Sequence, residues 1–434
     1  MKEESLAKET LDIALSHYEN GEYSQALGAL ATGFSQDIEN PDLYALAAKC
    51  LGQFEGAEAE AKLFSDAQND LNNFDSFVRL GDHFFSEDHY NLARTFYKRA
   101  NHLDPKNGRI AHDYALVLAR KFQIKEAINI LEIADPTCEF WNYYFWCKLN
   151  ILNGETEGIE EGLNSLLASL DQEPNQEDAA FPRQKVKEVK EILQRYNVIE
   201  NPRNDVQDWH FIQYGGAILD LFYEPDHFVA GGRYVALWGS HTSIKETLLQ
   251  LKSFLKQMDI PIKKIRFIDD RDSEIIGLAA AKIFGIKGSV YQPNEYLENC
   301  LIVGANSINF DGSLELSESN NNQIVFSLNH HWLDNANICP DVTGFMSQSY
   351  YFPWDSGYSF NAETGKQEPK APDEREPSAI AEDIFQAEFD ESKLDTSFDF
   401  YVKHKKYLKT IGNKTSNQRY NFVIESPVPG SHFN

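Results

Sequence analysis

Residues 74 to 134 hold two consecutive copies of one 34-residue pattern. In the first copy Phe77, Leu80, Gly81, Phe84, Tyr90, Ala93, Tyr97, Ala100 and Pro105 stand at fixed offsets. Thirty-four residues further on come Ala111, Tyr114, Ala115, Leu118, Ile124, Ala127, Leu131 and Ala134. Apolar residues return at apolar positions and small residues at small ones. That period is the signature of helical hairpins stacked in a row, each burying its face against the next. Stacked hairpins suggest an interaction scaffold before they suggest an enzyme.

The first copy resembles the tetratricopeptide repeat. The key positions of that family run large, large, small, large, small, aromatic, small, proline. Here Phe77, Leu80, Gly81, Phe84, Ala93, Tyr97, Ala100 and Pro105 fill them in order. Gly81 and Ala93 suit a close crossing of the two helices, and Phe84 and Tyr97 fill the wedge towards the neighbouring hairpin. Pro105 stops the second helix, because it lacks an N–H and disfavours helix in the residue before it.

Weaker copies flank this pair. Ile13, Ala14, Tyr18, Gly21, Tyr23, Ala26, Leu30 and Gly33 match the pattern over residues 7 to 40, with a late proline at Pro41. Residues 42 to 71 read as a shortened unit with Leu43, Leu46, Ala47, Ala57 and Ala61. Beyond residue 140, Trp141, Tyr144, Trp146, Leu149, Ile159, Leu163 and Leu166 keep helical spacing and predict one degenerate hairpin. A solvated capping helix is expected around residues 183 to 196. The resemblance covers residues 7 to about 170, and an array of this kind buries a continuous core from about three units upward.

The resemblance also implies a groove on the concave face, lined by the first helix of each hairpin. Asp75, Val78, Asp82 and Phe85 would face it from the stronger repeat, and Arg109, His112, Leu116 and Ala119, with Arg120 adjacent, from the next. Leu11 and Leu15 stand where chaperone-binding members of the family carry the lysine and asparagine of a carboxylate clamp. A mixed apolar and charged groove suits a helix or an extended peptide of a protein partner. The other occupants to weigh are the chain's own second half and a second copy of the chain.

At 434 residues the chain exceeds one core, so two or three domains are expected. Residues 1 to 200 carry 35 acidic and 19 basic side chains and the rest 32 and 21, so the net charge of −27 is spread over both halves. An acidic surface opposes nucleic-acid backbones and anionic membranes, and predicts neither as a partner. Five cysteines, Cys50, Cys138, Cys147, Cys300 and Cys339, form no C-x-x-C pair and fit a reducing compartment. With no apolar run of membrane-spanning length, a soluble, cytoplasmic protein is expected.

From residue 201 the pattern changes. Asn201-Pro202-Arg203-Asn204-Asp205 reads as a linker. Trp209 to Tyr214 (WHFIQY), Arg233 to Trp238, Ile262 to Ile268, Gly288 to Gln292, Asn299 to Val303 and residues 323 to 328 read as strands. Ser243 to Met258 and Glu274 to Phe284 read as helices, the second ended by Gly285. Alternating strands and helices predict a mainly parallel α/β sheet. Residues 363 to 376 are polar and read as a loop or linker. Ser378 to Glu388 and Leu394 to Leu408 read as helices of a tail that docks through Phe398, Phe400, Tyr401 and Tyr407.

One candidate ligand site stands out in this half. Asp269, Asp270, Arg271, Asp272 and Ser273 follow a strand and precede a helix, where open α/β sheets bind ligands. Paired aspartates there could hold a metal or a ribose, or simply cap the helix. The order apolar strand, acid pair, helix is similar to that of the type I phosphoribosyltransferases, which wrap a phosphate with hydroxyl residues and a glycine after the acids. Here Arg271, Asp272, Ser273, Glu274 and Ile275 stand in those places, and residues 299 to 310, the other register, lack the acid pair. That resemblance implies a fold kept and an activity lost or changed. Asn329-His330-His331-Trp332 lacks zinc-ligand spacing and reads as a strand end or loop. Gly239-Ser240-His241-Thr242 has no Walker spacing and reads as a helix cap.

The sequence thus describes a tetratricopeptide-like α-solenoid with a capping helix over residues 1–200, a mainly parallel α/β domain over 201–362, and a linker and docking segment over 363–434. No cofactor, metal or catalytic residue is assigned. The leading function is a scaffold or adaptor with a second sensor or binding domain. The runner-up is an enzyme handling a nucleotide or sugar phosphate near Asp269 to Ser273.

Overall fold

A computed structural model describes residues 2–199, 206–220, 233–319, 323–361, 366–411 and 418–422. The chain divides into two compact units, Met1–Val189 and Lys190–Asn434. In the first, α1 (Lys2–Glu19), α2 (Tyr23–Gln36), α3 (Pro41–Leu51), α4 (Glu58–Asn69), α5 (Phe74–Ser86), α6 (Tyr90–Leu103), α7 (Gly108–Arg120), α8 (Ile124–Ile133), α9 (Phe140–Asn153) and α10 (Ile159–Asp171) form five successive antiparallel hairpins. The unit is a tetratricopeptide-like array. Its successor α11 (Gln176–Asn197) contains the unit boundary.

A short local signal sets the spacing between hairpins. Asp37, Asp70 and Asp104 close α2, α4 and α6, and three residues later Asn40, Asn73 and Asn107 open α3, α5 and α7. Each asparagine side chain accepts from a backbone N–H of the first turn: Asp42, Ser76 and Ile110, at 3.0, 3.0 and 3.2 Å. Each asparagine N–H also donates back to the aspartate carbonyl. This D-x-x-N turn satisfies donors that a helix start leaves orphaned. Pro41 belongs to it as the first residue of α3, where a missing N–H costs nothing, so it opens the second hairpin and does not close the first.

Packing follows the repeat. A Cβ on Gly81 would lie 2.4 Å from the Tyr97 ring, so only glycine admits that ring against α5. Tyr97 therefore packs inside its own hairpin, a difference from the expected wedge. The wedge is an aromatic cluster instead: Phe84 stacks on Phe96 at 5.5 Å, and Phe34 meets Phe64 and Phe96 at 5.6 and 5.3 Å. The expected solvated capping helix is corrected: within α11, Val186, Val189, Ile192 and Leu193 are buried, because their spacing gathers them on one face.

In the second unit α12 (Val206–Tyr214), β1 (Ala217–Ile218), β2 (Arg233–Trp238), α13 (His241–Gln257), β3 (Lys264–Phe267), α14 (Arg271–Phe284), β4 (Gly288–Val290), β5 (Cys300–Asn306), β6 (Ile324–His331) and β7 (Val342–Tyr351) build a seven-stranded sheet with its helices. The order is β1-β7-β6-β5-β3-β4, with β2 also on β7, and every pair is parallel. Gly277 of α14 lets Phe267 of β3 approach so closely that a Cβ would sit 2.4 Å away. Tyr291, Cys300, Ile302, Phe310, Val325 and Ile338 form a buried core cluster in this unit.

Three readings of this half change. WHFIQY lies in α12, not in a strand; the segment is buried on all sides, which removes the periodicity that separates the two forms. Residues 299 to 310, the other register of the phosphate-binding order, offer no wrapping loop: the strand expected over Asn299 to Val303 is in place as β5 and runs on to Asn306, and Ser307–Phe310 is a 3-10 turn. The predicted linker includes β9 (Lys366–Lys370), which pairs antiparallel with β8 (Gly357–Asn361). After α15 (Pro377–Gln386), the long helix expected over 394–408 shrinks to α16 (Asp399–Lys403). The tail packs within its own unit: the Tyr401 hydroxyl donates to the Ile218 carbonyl and accepts from its N–H. Residues 201–205, the predicted linker, lie outside the described residues.

A buried ion pair fastens the last described segment. Arg419 donates from Nε and Nη2 to the Asp341 carboxylate at 2.9 and 2.6 Å, and from Nη1 and Nη2 to the carbonyls of Leu316 and Gln323. Asp341 also accepts from the Val325 N–H and the Thr410 hydroxyl. Both charges are almost wholly buried, and each finds several partners.

Candidate functional site

In the array, α5 and α7 start from equivalent asparagine caps and so present equivalent faces. The residues expected to line the groove fall into two groups. Asp82 accepts from Arg109 at 2.6 Å and from the Tyr97 hydroxyl at 2.8 Å, and Arg109 also meets Asp113 at 3.5 Å. The hydrogen bond that Arg109 donates to Asp82 raises the Arg109 pKa, and burial raises that of Asp113. His112 shares a 3.0 Å hydrogen bond with Asn142. These polar groups answer one another across successive hairpins.

The second group is open. Phe85 lies 5.5 Å from the Tyr90 ring. The Arg120 guanidinium sits 4.5 Å above Tyr90 and 5.7 Å above Phe85, and donates to the Tyr90 hydroxyl at 2.6 Å. The result is a platform of two half-buried rings with an exposed cation over them. Asp75 is exposed, Val78 is buried and Leu116 half-buried. Val78 therefore supports the face from beneath. Tyr90, opening the second helix, was absent from the expected groove; its signal was an aromatic ring one hairpin turn from Phe85 and thirty residues before Arg120.

In the α/β unit, strand order reverses at β3: α14 carries the chain outward to β4, and β5 lies on the other side. Crevices at such switch points are where parallel sheets place ligands. Asp269 and Asp270 leave β3 there, but the acid pair passes straight into α14. Arg271, Asp272 and Ser273 are its first turn, with no loop left to wrap a phosphate. Asp270 caps the helix by accepting from the Ser273 N–H at 2.8 Å. The Ser273 hydroxyl accepts from Ala305 N–H of β5 at 2.9 Å. Asp269 is exposed.

Beside this turn lies an open cleft of about 650 Å³, lined by Arg271, Asp272, Tyr351, Trp354, Asp355 and Asp373 among others. Trp354 donates from its indole to Asp272 at 2.7 Å, and burial raises the Asp272 pKa. Arg271 is spent on the carbonyls of Asp373 and Arg375. Arg375 binds Asp373 and Asp383, and its hydrogen bonds hold Asp373 down to about 2. The lining sets Asp272, Asp355, Asp373 and Glu374 against the single cation Arg271, an acidic balance that disfavours a phosphate and favours a cationic group. At its edge Tyr351 stacks on Trp238 at 5.4 Å, and Trp238 is 72% exposed.

The remaining motifs are structural. Ser240 forms a capping box with Ser243 at the start of α13. His330 lies within β6 and stacks on Phe422 at 3.7 Å. Among the described residues no group of three His, Cys, Asp or Glu side chains could hold a metal ion, and no helix is long and apolar enough to cross a membrane. The five cysteines are free.

The chain matches no family model and no curated protein. Solved structures similar to it include MamA (41-end) from Desulfovibrio magneticus RS-1, 17% identical, covering 39% of this chain and 97% of that one with a TM-score of 0.24. TTC0263, a thermophilic TPR protein in Thermus thermophilus, is 14% identical and covers 42% and 98%, with a TM-score of 0.25. YrrB, a TPR protein with an unusual peptide-binding site, is 17% identical and covers 42% and 90%, with a TM-score of 0.25.

Proposed function

We propose that the chain is a protein-interaction scaffold whose helical array binds a peptide segment of a protein partner in the groove of α5 and α7. The observation that carries this reading is the Phe85–Tyr90–Arg120 platform. Two rings and a guanidinium with one exposed face suit an apolar or aromatic side chain flanked by a hydrogen-bond acceptor. The ionic groups around it are already paired, so they shape the groove and read few charges. Five free thiols support a cytoplasmic setting for this scaffold.

The α/β unit serves as a sensor or second binding surface, with its site in the cleft beside Asp272 and Trp354. Its carboxylates favour a cationic ligand over a nucleotide or sugar phosphate.

Pull-down with the full chain tests the groove. Phe85→Ala and Arg120→Glu should each abolish recovery of the partner while the circular dichroism spectrum and Tm stay as in the wild type. Recovery that survives both substitutions would end the groove reading. A change in oligomeric state in the same variants would identify the occupant as a second copy of the chain.

A further inference from the structure

We infer that the array carries a second binding site, in a cleft beside α2 and α6, for a carboxylate-bearing peptide segment of a protein partner. It rests on the reading of the array as a peptide-recognising scaffold, but it uses a surface made mainly by second helices. The cleft encloses about 470 Å³. One face of α6 supplies Arg94, Lys98 and Arg99, while Phe34 of α2 and Tyr114 of α7 add apolar lining.

The charges set the ligand class. Arg94 donates to the neutral side chain of Gln123 at 2.9 Å, and exposed Lys98 makes no ion pair among the described residues. The two are four residues apart on one helix face, an arrangement of like charges that a helix alone disfavours. Arg99 is only 7% exposed. It binds Glu39, the Leu71 carbonyl and Asn72, yet its Nε–H is buried with no partner. A buried donor left unmade is costly, and it adds an unsatisfied positive group to the wall of the cleft. Glu39 and Glu126 also line the cleft. Three cations against two carboxylates leave one net positive charge, in a chain whose total is −27. That balance matches a carboxylate monoanion, and a phosphate dianion would face both glutamates with more repulsion. The lining of Phe34 and Tyr114 gives room for a neighbouring apolar side chain.

The test is titration of the full chain by calorimetry with the capped dipeptide acetyl-Phe-Glu-amide, with acetyl-Phe-Gln-amide as its neutral twin and inorganic phosphate as competitor. The acidic dipeptide should bind at millimolar concentration and the neutral one at least about tenfold more weakly, the worth of one ion pair of this strength. Lys98→Glu and Arg94→Gln should each lower affinity for the acidic dipeptide about tenfold or more. Lys106→Glu, an exposed lysine between α6 and α7, and Phe85→Ala, in the groove, should leave it unchanged. Equal binding of the two dipeptides, an equal loss in Lys106→Glu, or no binding at all would overturn the proposal. Displacement by equimolar phosphate would overturn the carboxylate assignment. A loss in Phe85→Ala alone would return the dipeptide to the groove and leave this cleft without a role.

Discussion

In the helical array Tyr97 closes its hairpin on Asp82, fifteen residues away. In the α/β unit Tyr401 closes on Ile218 across 183 residues, and Arg419 on Asp341 across 78. The first kind of contact forms within a hairpin whatever the rest of the chain does. The second forms only when distant strands and the tail arrive together. An array therefore holds its stability as a sum of repeat and interface terms, while a sheet of this topology stands or falls as a whole. The array can tolerate divergence in a unit and offer a long face to partners. The sheet unit concentrates its vulnerability in a few buried joints.

The most direct way to break this contrast is at the deepest joint. Asp341→Asn leaves Arg419 buried with too little negative charge, and removing one partner of a buried pair costs about 3–5 kcal/mol. Urea denaturation should show the α/β unit melting early in this variant, with the transition of the array in place. A joint shift of both transitions would mean the two units do not fold independently.

Matched glycine substitutions sharpen the comparison. Gly81→Val in the array and Gly277→Val in the α/β unit each add atoms where a Cβ alone would sit 2.4 Å from an aromatic residue. Overpacking of this kind costs about 1–3 kcal/mol in either unit. The distribution should differ. Hydrogen exchange should rise in α5 and α6 and their neighbours alone for Gly81→Val, but throughout the sheet for Gly277→Val. Uniform loss of protection across the whole array would refute the additive picture.

Acid should separate the units next. Burial pushes the His210 pKa down to about 3, and His330 falls for the same reason, with the neighbouring histidines adding to it. An unfolded histidine takes up a proton near pH 6.5. Between pH 6.5 and about 3 the unfolded chain therefore binds the extra proton, and stability falls as pH falls. Asp220, raised to about 6 by burial, works the other way: its folded form takes up a proton first, so it gains stability as pH drops through 6. The clean measurement is a difference. His210→Phe, which leaves no unpartnered ring nitrogen, should flatten the decline of the α/β unit by about 1.4 kcal/mol per pH unit below 6.5. Parallel pH curves for wild type and variant would show that His210 is protonated in the fold.

What the sequence discloses follows the same division. The hairpins are legible because Gly81, Ala93 and Ala115 repeat a local packing rule, and the D-x-x-N turns at Asn40, Asn73 and Asn107 are a second local signal of the same array. Asp270 as the cap of α14 and Gly285 as its terminator are readable from neighbours in the chain. β7 is not. Its sequence VTGFMSQSYY mixes glycine, serine and glutamine, yet it is a central strand. Ser347 is buried there because it pairs sideways: it donates to Asn329 of β6, which donates to Asn306 of β5. No pattern within one strand reveals partners supplied by two others. The groove shows a milder form of this: residue positions can be assigned from the repeat, but not that Asp82 and Arg109 consume each other and leave Phe85, Tyr90 and Arg120 open.

That last point gives the smallest expected effect on stability. Arg120→Gln keeps a hydrogen-bond donor over Tyr90 but removes the cation from both rings. Exposed cation–π contacts contribute about 0.5–1 kcal/mol, so Tm should barely move. Partner affinity should fall several-fold, and Phe85→Leu, which keeps apolar area but loses the ring, should fall by a similar factor. If the platform acts as one surface, the double variant should lose less than the two single losses combined, because either change alone already removes the stacked geometry. Strict additivity of the two losses would mean that the ring and the cation touch the partner separately, and the groove would then read two side chains where a single platform predicts one.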